Sequence, residues 1–117
     1  MADLDALLEL PGARAAFTFN DRGELREHRI AEGAEGLDAT VLDLLCHMCV
    51  ANTAIATMQA RGWERMTGME GFYPVEGFGF VGLEWSALTH GHCGVVLANE
   101  EADYEATYRA LAAHGEP

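Results

Sequence analysis

Three groups of residues have types and spacings that could do chemistry. Cys46-His47-Met48-Cys49 has the C-x-x-C spacing of thiol pairs that exchange disulfides, a reaction that needs a thiolate and so a lowered pKa. The pair falls about two turns inside a long helix, where the help of the helix dipole has faded. Residues 46 and 49 lie on neighbouring helix faces and could share a metal. Buried cysteines are also common small core residues, and packing is the better reading. His90-Gly91-His92-Cys93 adds three side chains of the kinds that ligate zinc tetrahedrally. Cys46, Cys49, His90, His92 and Cys93 together define a metal- or redox-linked alternative, which requires the 90–92 turn to reach the helix. Their spacing fits no zinc module, and a polar turn leading into a strand accounts for it. No carboxylate or serine partner marks a catalytic histidine, so no enzyme activity, cofactor or resident metal is expected.

Gly77-Phe78-Gly79-Phe80-Val81-Gly82 matches G-x-G-x-x-G, with Asp103 about twenty residues further on. A dinucleotide site needs that motif to open a helix after a strand. Here Leu83-Glu84-Trp85-Ser86-Ala87 continues the strand pattern. Alternation explains the residues: Phe78 and Phe80 fill one face, and Gly77 and Gly79 leave the other thin enough for a close neighbour.

The elements that must carry these groups follow from periodicity. Asp3 caps a short helix with Leu4, Leu7 and Leu8 on one face, ended by Pro11-Gly12. Ala13, Ala15, Phe17 and Phe19 alternate toward one side, as in a strand with one buried face. Asn20-Asp21-Arg22-Gly23 turns the chain into a polar second strand, Glu24 to Ile30, expected at a sheet edge. A long helix follows from about Leu37 to Arg61, with Gly62 as its stop, or on to Met66. Leu37, Val41, Leu44, Met48, Ala51, Ile55 and Met58 form one apolar stripe; Leu42, Leu45, Cys49 and Ala56 form a second. The first stripe is expected to cover the sheet, leaving the second for a partner. Three strands come next, Phe72–Val81, Leu83–Thr89 and Cys93–Ala98, with Pro74 placing the first at an edge or bulge. Asn99 is expected to cap a last helix whose apolar face is Tyr104, Tyr108 and Leu111.

The chain has 117 residues, half of them hydrophobic, which suits a single domain spanning 1–117. Nineteen acidic residues against seven arginines give a formal charge of −12. That balance disfavours nucleic acid and anionic membranes as partners. The N-terminus lacks the basic and apolar regions of a secretion signal, and no stretch is expected to approach a membrane span. Three cysteines, an odd number, argue against a disulfide framework and for a reducing cytoplasm.

The order helix, two strands, long helix, three strands, helix resembles the roadblock / dynein light chain domain, as found in a group of bacterial proteins. The segments that carry the resemblance are Leu7–Gly12, Phe19–Gly23, Cys49–Thr53, Pro74–Gly77 and Val96–Glu100. It implies an α/β (α+β) fold with an antiparallel sheet in the order 2-1-5-4-3. It also implies dimers that pair third strands and set long helices side by side, acting as scaffolds or as regulators of small GTPases. The doubly apolar helix independently calls for a second copy of the chain. Self-contact is expected at Val41, Leu45, Met48, Cys49, Asn52, Phe72 and Tyr73. The partners expected are thus the chain itself and a further protein, with a small GTPase as the class implied by the resemblance. Trp63, Met66 and Met69, clustered near Phe72 and Tyr73, are residue types favoured at contact surfaces.

Overall fold

The computed structural model describes residues 2–114. The elements are α1 (Leu4–Leu8), β1 (Ala13–Phe19), β2 (Leu25–Ile30), α2 (Ala39–Thr67), β3 (Gly77–Val81), β4 (Trp85–His90), β5 (Cys93–Ala98), a 3-10 turn (Asn99–Glu101) and α3 (Tyr104–His114). The five strands form an antiparallel sheet in the order β2-β1-β5-β4-β3. α2 lies on one face of the sheet. α1 and α3 lie on the other, so the sheet has a core on each side.

β1 runs through the middle of both cores. Ala15, Phe17 and Phe19 face α2 together with Val96, Leu42, Cys46 and Cys49. Ala13 and Ala16 face α1 and α3 with Leu4, Leu7, Val95, Leu97 and Leu111. The expectation of a single buried face is corrected: a register shift between Ala13 and Ala15 turns Ala13 to the other side, and both faces are covered. β2, with its mostly polar pattern, is an edge strand as its sequence implied.

α2 starts two residues later than its pattern predicted and ends at Thr67, one residue beyond the longer of the two expected ends. Asp38 caps it by accepting a hydrogen bond from the Val41 amide, and Gly68, at φ 74°, ends it by donating its N–H to the Glu64 carbonyl. Gly62 is therefore inside the helix and not its stop. At 1.5 Å per residue, α2 is about 43 Å long. Its length and composition would allow it to cross a bilayer, contrary to the expectation that no stretch comes close. In this fold Leu42, Cys46 and Cys49 commit one of its faces to the sheet.

Two further boundaries differ for physical reasons. β3 starts at Gly77, because the Phe72 and Tyr73 amides donate to the Glu64 carboxylate (2.8 and 3.0 Å) and so are taken from any ladder. Asn99 braces the sheet instead of capping α3. Its amide donates to the Gly82 carbonyl (2.8 Å), and its side-chain oxygen accepts from the buried Ser86 hydroxyl (2.6 Å). Asp103 is the cap, accepting from the Ala106 amide at 3.0 Å. The α3 face that is buried belongs to Thr107 and Leu111, while Tyr104 and Tyr108 stay partly open. Tyr108 packs against the bare Gly77, where a Cβ would stand 2.6 Å from its ring, as the thin glycine face anticipated.

Candidate functional site

The chemistry-bearing residues are not brought together. Cys46 and Cys49 sit under α2 against Phe17 and Phe19, whereas Cys93 is buried on the opposite side of the sheet with Val95 and Leu97. A β-sheet therefore separates the two halves of the five-residue metal or redox alternative. His90 stacks edge-on against Tyr108 and faces Glu76 at 3.8 Å. His92 meets Asp21 at 2.7 Å and the edge of Phe19. Among the described residues no three His, Cys, Asp or Glu side chains are grouped so as to hold a metal. Burial, with Cys49 and Asp43 adding negative charge nearby, pushes the Cys46 thiol up to about 12; burial raises Cys49 to about 11. Both shifts oppose the thiolate that disulfide exchange or metal ligation requires.

What the fold does present is apolar surface. The two stripes of α2 exchange the roles expected of them. Leu42 and Cys49 of the second stripe, with Cys46, pack on the sheet, while the first stripe faces outward. Leu44 is 64% exposed, Ile55 55% and Met58 74%, with Val41 and Met48 also open. The reason is the rotation of the helix: residues 42, 46 and 49 line up over Phe17, which turns 41, 44, 48, 55 and 58 away.

Beside the first half of this face runs an open groove of about 840 Å³. One wall is Val41, Leu44, Leu45 and Met48; the other is Phe80, Trp85 and Ala87 from the β3–β4 hairpin, with Leu83 at its tip. Its two charged lining residues, Glu35 and Glu84, are both acidic. β3 has β4 on one side and an open backbone edge on the other. At its far end α2 holds the 68–75 segment against itself. The Glu64 carboxylate binds two backbone amides there, and those hydrogen bonds keep its pKa below the usual range. Arg61 donates to the Tyr73 hydroxyl (2.6 Å) with its guanidinium 4.2 Å from that ring, and Trp63 meets Phe72 edge to face.

The model of a family described as "Uncharacterized conserved protein (DUF2173)" matches residues 3–113. The chain belongs to this family. Comparison with curated protein sequences finds no significant match. Solved structures similar to this DUF2173 chain include two MglB proteins and a Roadblock/LC7 domain. The gliding protein MglB of Thermus thermophilus is 19% identical at a TM-score of 0.74, covering 97% of this chain and 80% of its own. An MglB with a tetrameric arrangement is 19% identical at 0.72, covering 96% and 82%. A Roadblock/LC7 domain from Streptomyces avermitilis is 13% identical at 0.67, covering 96% and 88%. These likenesses establish a roadblock-like fold for the DUF2173 chain, with the strand order its sequence implied.

Within that fold, the residues expected at a self-contact fall in three settings. Val41 and Met48 lie on the exposed α2 face, and Phe72 and Tyr73 on the exposed segment fastened by Glu64. Leu45 and Asn52 are half-buried, Leu45 as part of the groove wall and Asn52 with its amide on the Met48 carbonyl (2.8 Å). Cys49 is a correction: at 1% exposure inside its own core it offers nothing to a second chain. Leu44, Ile55, Met58, Phe80, Leu83 and Trp85 are exposed apolar residues missing from that expectation. The signal for the α2 members is present in the sequence, because they belong to the first stripe, whose pattern alone suggests that it covers the sheet.

Proposed function

We propose that this DUF2173 chain is a non-catalytic homodimeric scaffold or regulatory protein that acts through protein contacts. The observation that carries the reading is the outward apolar face of α2, beside an open groove and the unpaired edge of β3. Contiguous exposed apolar surface of this kind marks interaction sites on folded proteins. A second copy is the simplest cover, since an isologous contact needs one self-complementary patch. The tetrameric arrangement of a structurally similar MglB supports self-association. The scattered histidines and ionisation-resistant thiols favour recognition over chemistry as the mechanism. A small GTPase is the class of further partner that the roadblock likeness suggests, and the cytoplasm is the compartment that three cysteines and the acidic composition suit.

Sedimentation equilibrium of the purified chain tests this reading. It predicts a two-chain mass at micromolar concentration that dissociates only on strong dilution. A stably folded single chain across the accessible range would refute it.

A further inference from the structure

β2 ends the sheet on the side away from β3, and its outer backbone has no strand partner among the described residues. Arg29 is opposite Ala16 of β1, and the Ala31 amide donates to the Arg14 carbonyl at 2.8 Å. Alternation along an antiparallel strand then turns the amides and carbonyls of His28 and Ile30 outward. Asp43 closes one end of this edge by accepting from the Leu25 amide at 2.9 Å. The His28 carbonyl accepts from the Arg29 guanidinium at 2.9 Å, which places that positive charge at the open edge.

The edge is opposite in charge to the rest of the molecule. Residues 22–29 hold three of the seven arginines and two of the nineteen acidic residues, so this stretch is net +1 while the rest of the chain is net −13. Charged side chains commonly guard sheet edges against aggregation. In so acidic a chain glutamate would guard as well, and defence gives no reason for the reversal of sign. Arg26 is exposed, with no hydrogen bond or ion pair among the described residues. Arg29 meets Asp5 at 3.4 Å, but both side chains face water, where such a pair is weak and open to exchange.

We propose that the β2 edge takes an extended acidic segment of a partner protein as an added strand. Strand addition draws affinity from main-chain hydrogen bonds and specificity from alternate side chains. His28 and Ile30 offer the amides and carbonyls. The two faces of the edge differ. Arg29 turns toward α1, where it reaches Asp5, whereas Leu25 and Ile30 pack half-buried at the margin of the α2 core. The segment that fits alternates carboxylates on the α1 side with apolar residues that extend the α2 core. A carboxylate across from an arginine is a favourable cross-strand pair. A nucleic-acid strand, the other flexible polyanion, would be repelled by the acidic remainder and has no peptide amides to complete the ladder. This edge lies across the sheet from β3, so the proposal holds for a single chain and for a dimer alike.

A synthetic peptide of about eight residues, alternating glutamate and valine, is the probe, titrated into the isotope-labelled full chain. Hydrogen exchange at the His28 and Ile30 amides should slow at saturation, while the β3 amides keep their rates. The alternating lysine and valine peptide should bind more weakly, roughly 10-fold or more. The fully N-methylated glutamate and valine peptide keeps its charge but has no donors, and should leave His28 and Ile30 unprotected. Arg26→Glu combined with Arg29→Glu should weaken binding roughly 10-fold or more with the far-ultraviolet circular dichroism unchanged. Arg26→Ala, at an exposed position, should give a smaller loss in the same direction if the double variant does not fold. Equal binding of the N-methylated or the lysine peptide, protection along β3 in place of β2, or no binding at millimolar peptide would overturn the proposal. Protection of His28 and Ile30 that rises with chain concentration in the absence of peptide would overturn it too, because a second copy would then own the edge.

Discussion

Met48→Arg is the perturbation whose effect can be worked out most fully. Met48 is 37% exposed at the centre of the outward α2 face, with Val41, Leu44, Ile55 and Met58 between 41% and 74% exposed around it. At about 1.5–3 kcal/mol for complete burial of a large apolar side chain, covering what these five still expose is worth roughly 4–8 kcal/mol per protomer. A symmetric pair would gain about twice that, against an association cost of about 4–15 kcal/mol. The surplus is small enough for one residue to decide the outcome. Arginine at 48 removes one of the five contributions and brings an unpaired guanidinium into the contact from each chain, at about 3–5 kcal/mol for a charge left uncompensated. Even one such penalty raises the dissociation constant roughly 100-fold or more. The isolated chain should be little affected, because arginine and methionine have similar helix propensities and position 48 is partly open in the single chain. Light scattering after size exclusion, with far-ultraviolet circular dichroism as the folding control, reads both effects. A variant that keeps the parent's dimer affinity would refute the assignment of this face to self-association.

Further outcomes follow from other parts of the structure. Because burial raises the Cys46 and Cys49 thiols above their ordinary value of 9.0, to about 12 and 11, the folded state holds their protons more tightly than the unfolded state. Their contribution to stability is complete below about pH 9 and is lost as pH rises through the folded values, so denaturant midpoints should fall in that alkaline window. At neutral pH the same two thiols should react with a thiol reagent only at the rate of opening. Gly94→Ala would place a Cβ 2.5 Å from the Phe17 ring; overpacking of this kind costs about 1–3 kcal/mol and should lower the melting temperature. Glu64→Ala removes the acceptor of the Phe72 and Tyr73 amides, so hydrogen exchange should quicken at those two amides while β5 keeps its protection. Elemental analysis of the purified chain should find no stoichiometric zinc or iron, given that the sheet divides Cys93 from Cys46 and Cys49.

Much of the fold was legible because its signals are local. The bounds read from the sequence, Ala13 to Phe19 and Cys93 to Ala98, match those of β1 and β5, although Ala13 faces the opposite side from Ala15, and the Asn20–Gly23 turn fixes the hairpin between β1 and β2. What misled were positions where a side chain from elsewhere in the sequence claims a local group. Glu64 takes the Phe72 and Tyr73 amides and so shortens β3. Ser86 and the Gly82 carbonyl claim Asn99, leaving Asp103 to cap α3. Gly62 looked like a helix stop, since a glycine in a helical pattern has that meaning unless packing gives it another.

The candidate surface was half legible. Two apolar stripes on one helix imply two partners, and that inference needs only the sequence. Which stripe faces inward depends on helix rotation, and rotation is set by Phe17 and Phe19 rising from β1 to meet Leu42, Cys46 and Cys49. Periodicity alone cannot tell which of two neighbouring stripes those rings will meet. The groove wall from Phe80, Leu83 and Trp85 was out of reach as well, because it exists only when the β3–β4 hairpin is placed beside α2.

Side-chain footprinting with hydroxyl radicals over a concentration series tests the central claim most directly, since it reads the α2 face in the unmodified chain. With assembly, Leu44, Met48, Ile55 and Met58 should become protected together, while Tyr104 and Tyr108 of α3, on the other side of the sheet, keep a constant reactivity. Equal reactivity of those four α2 residues at every concentration, in a chain that nevertheless associates, would show that its copies meet through a different surface.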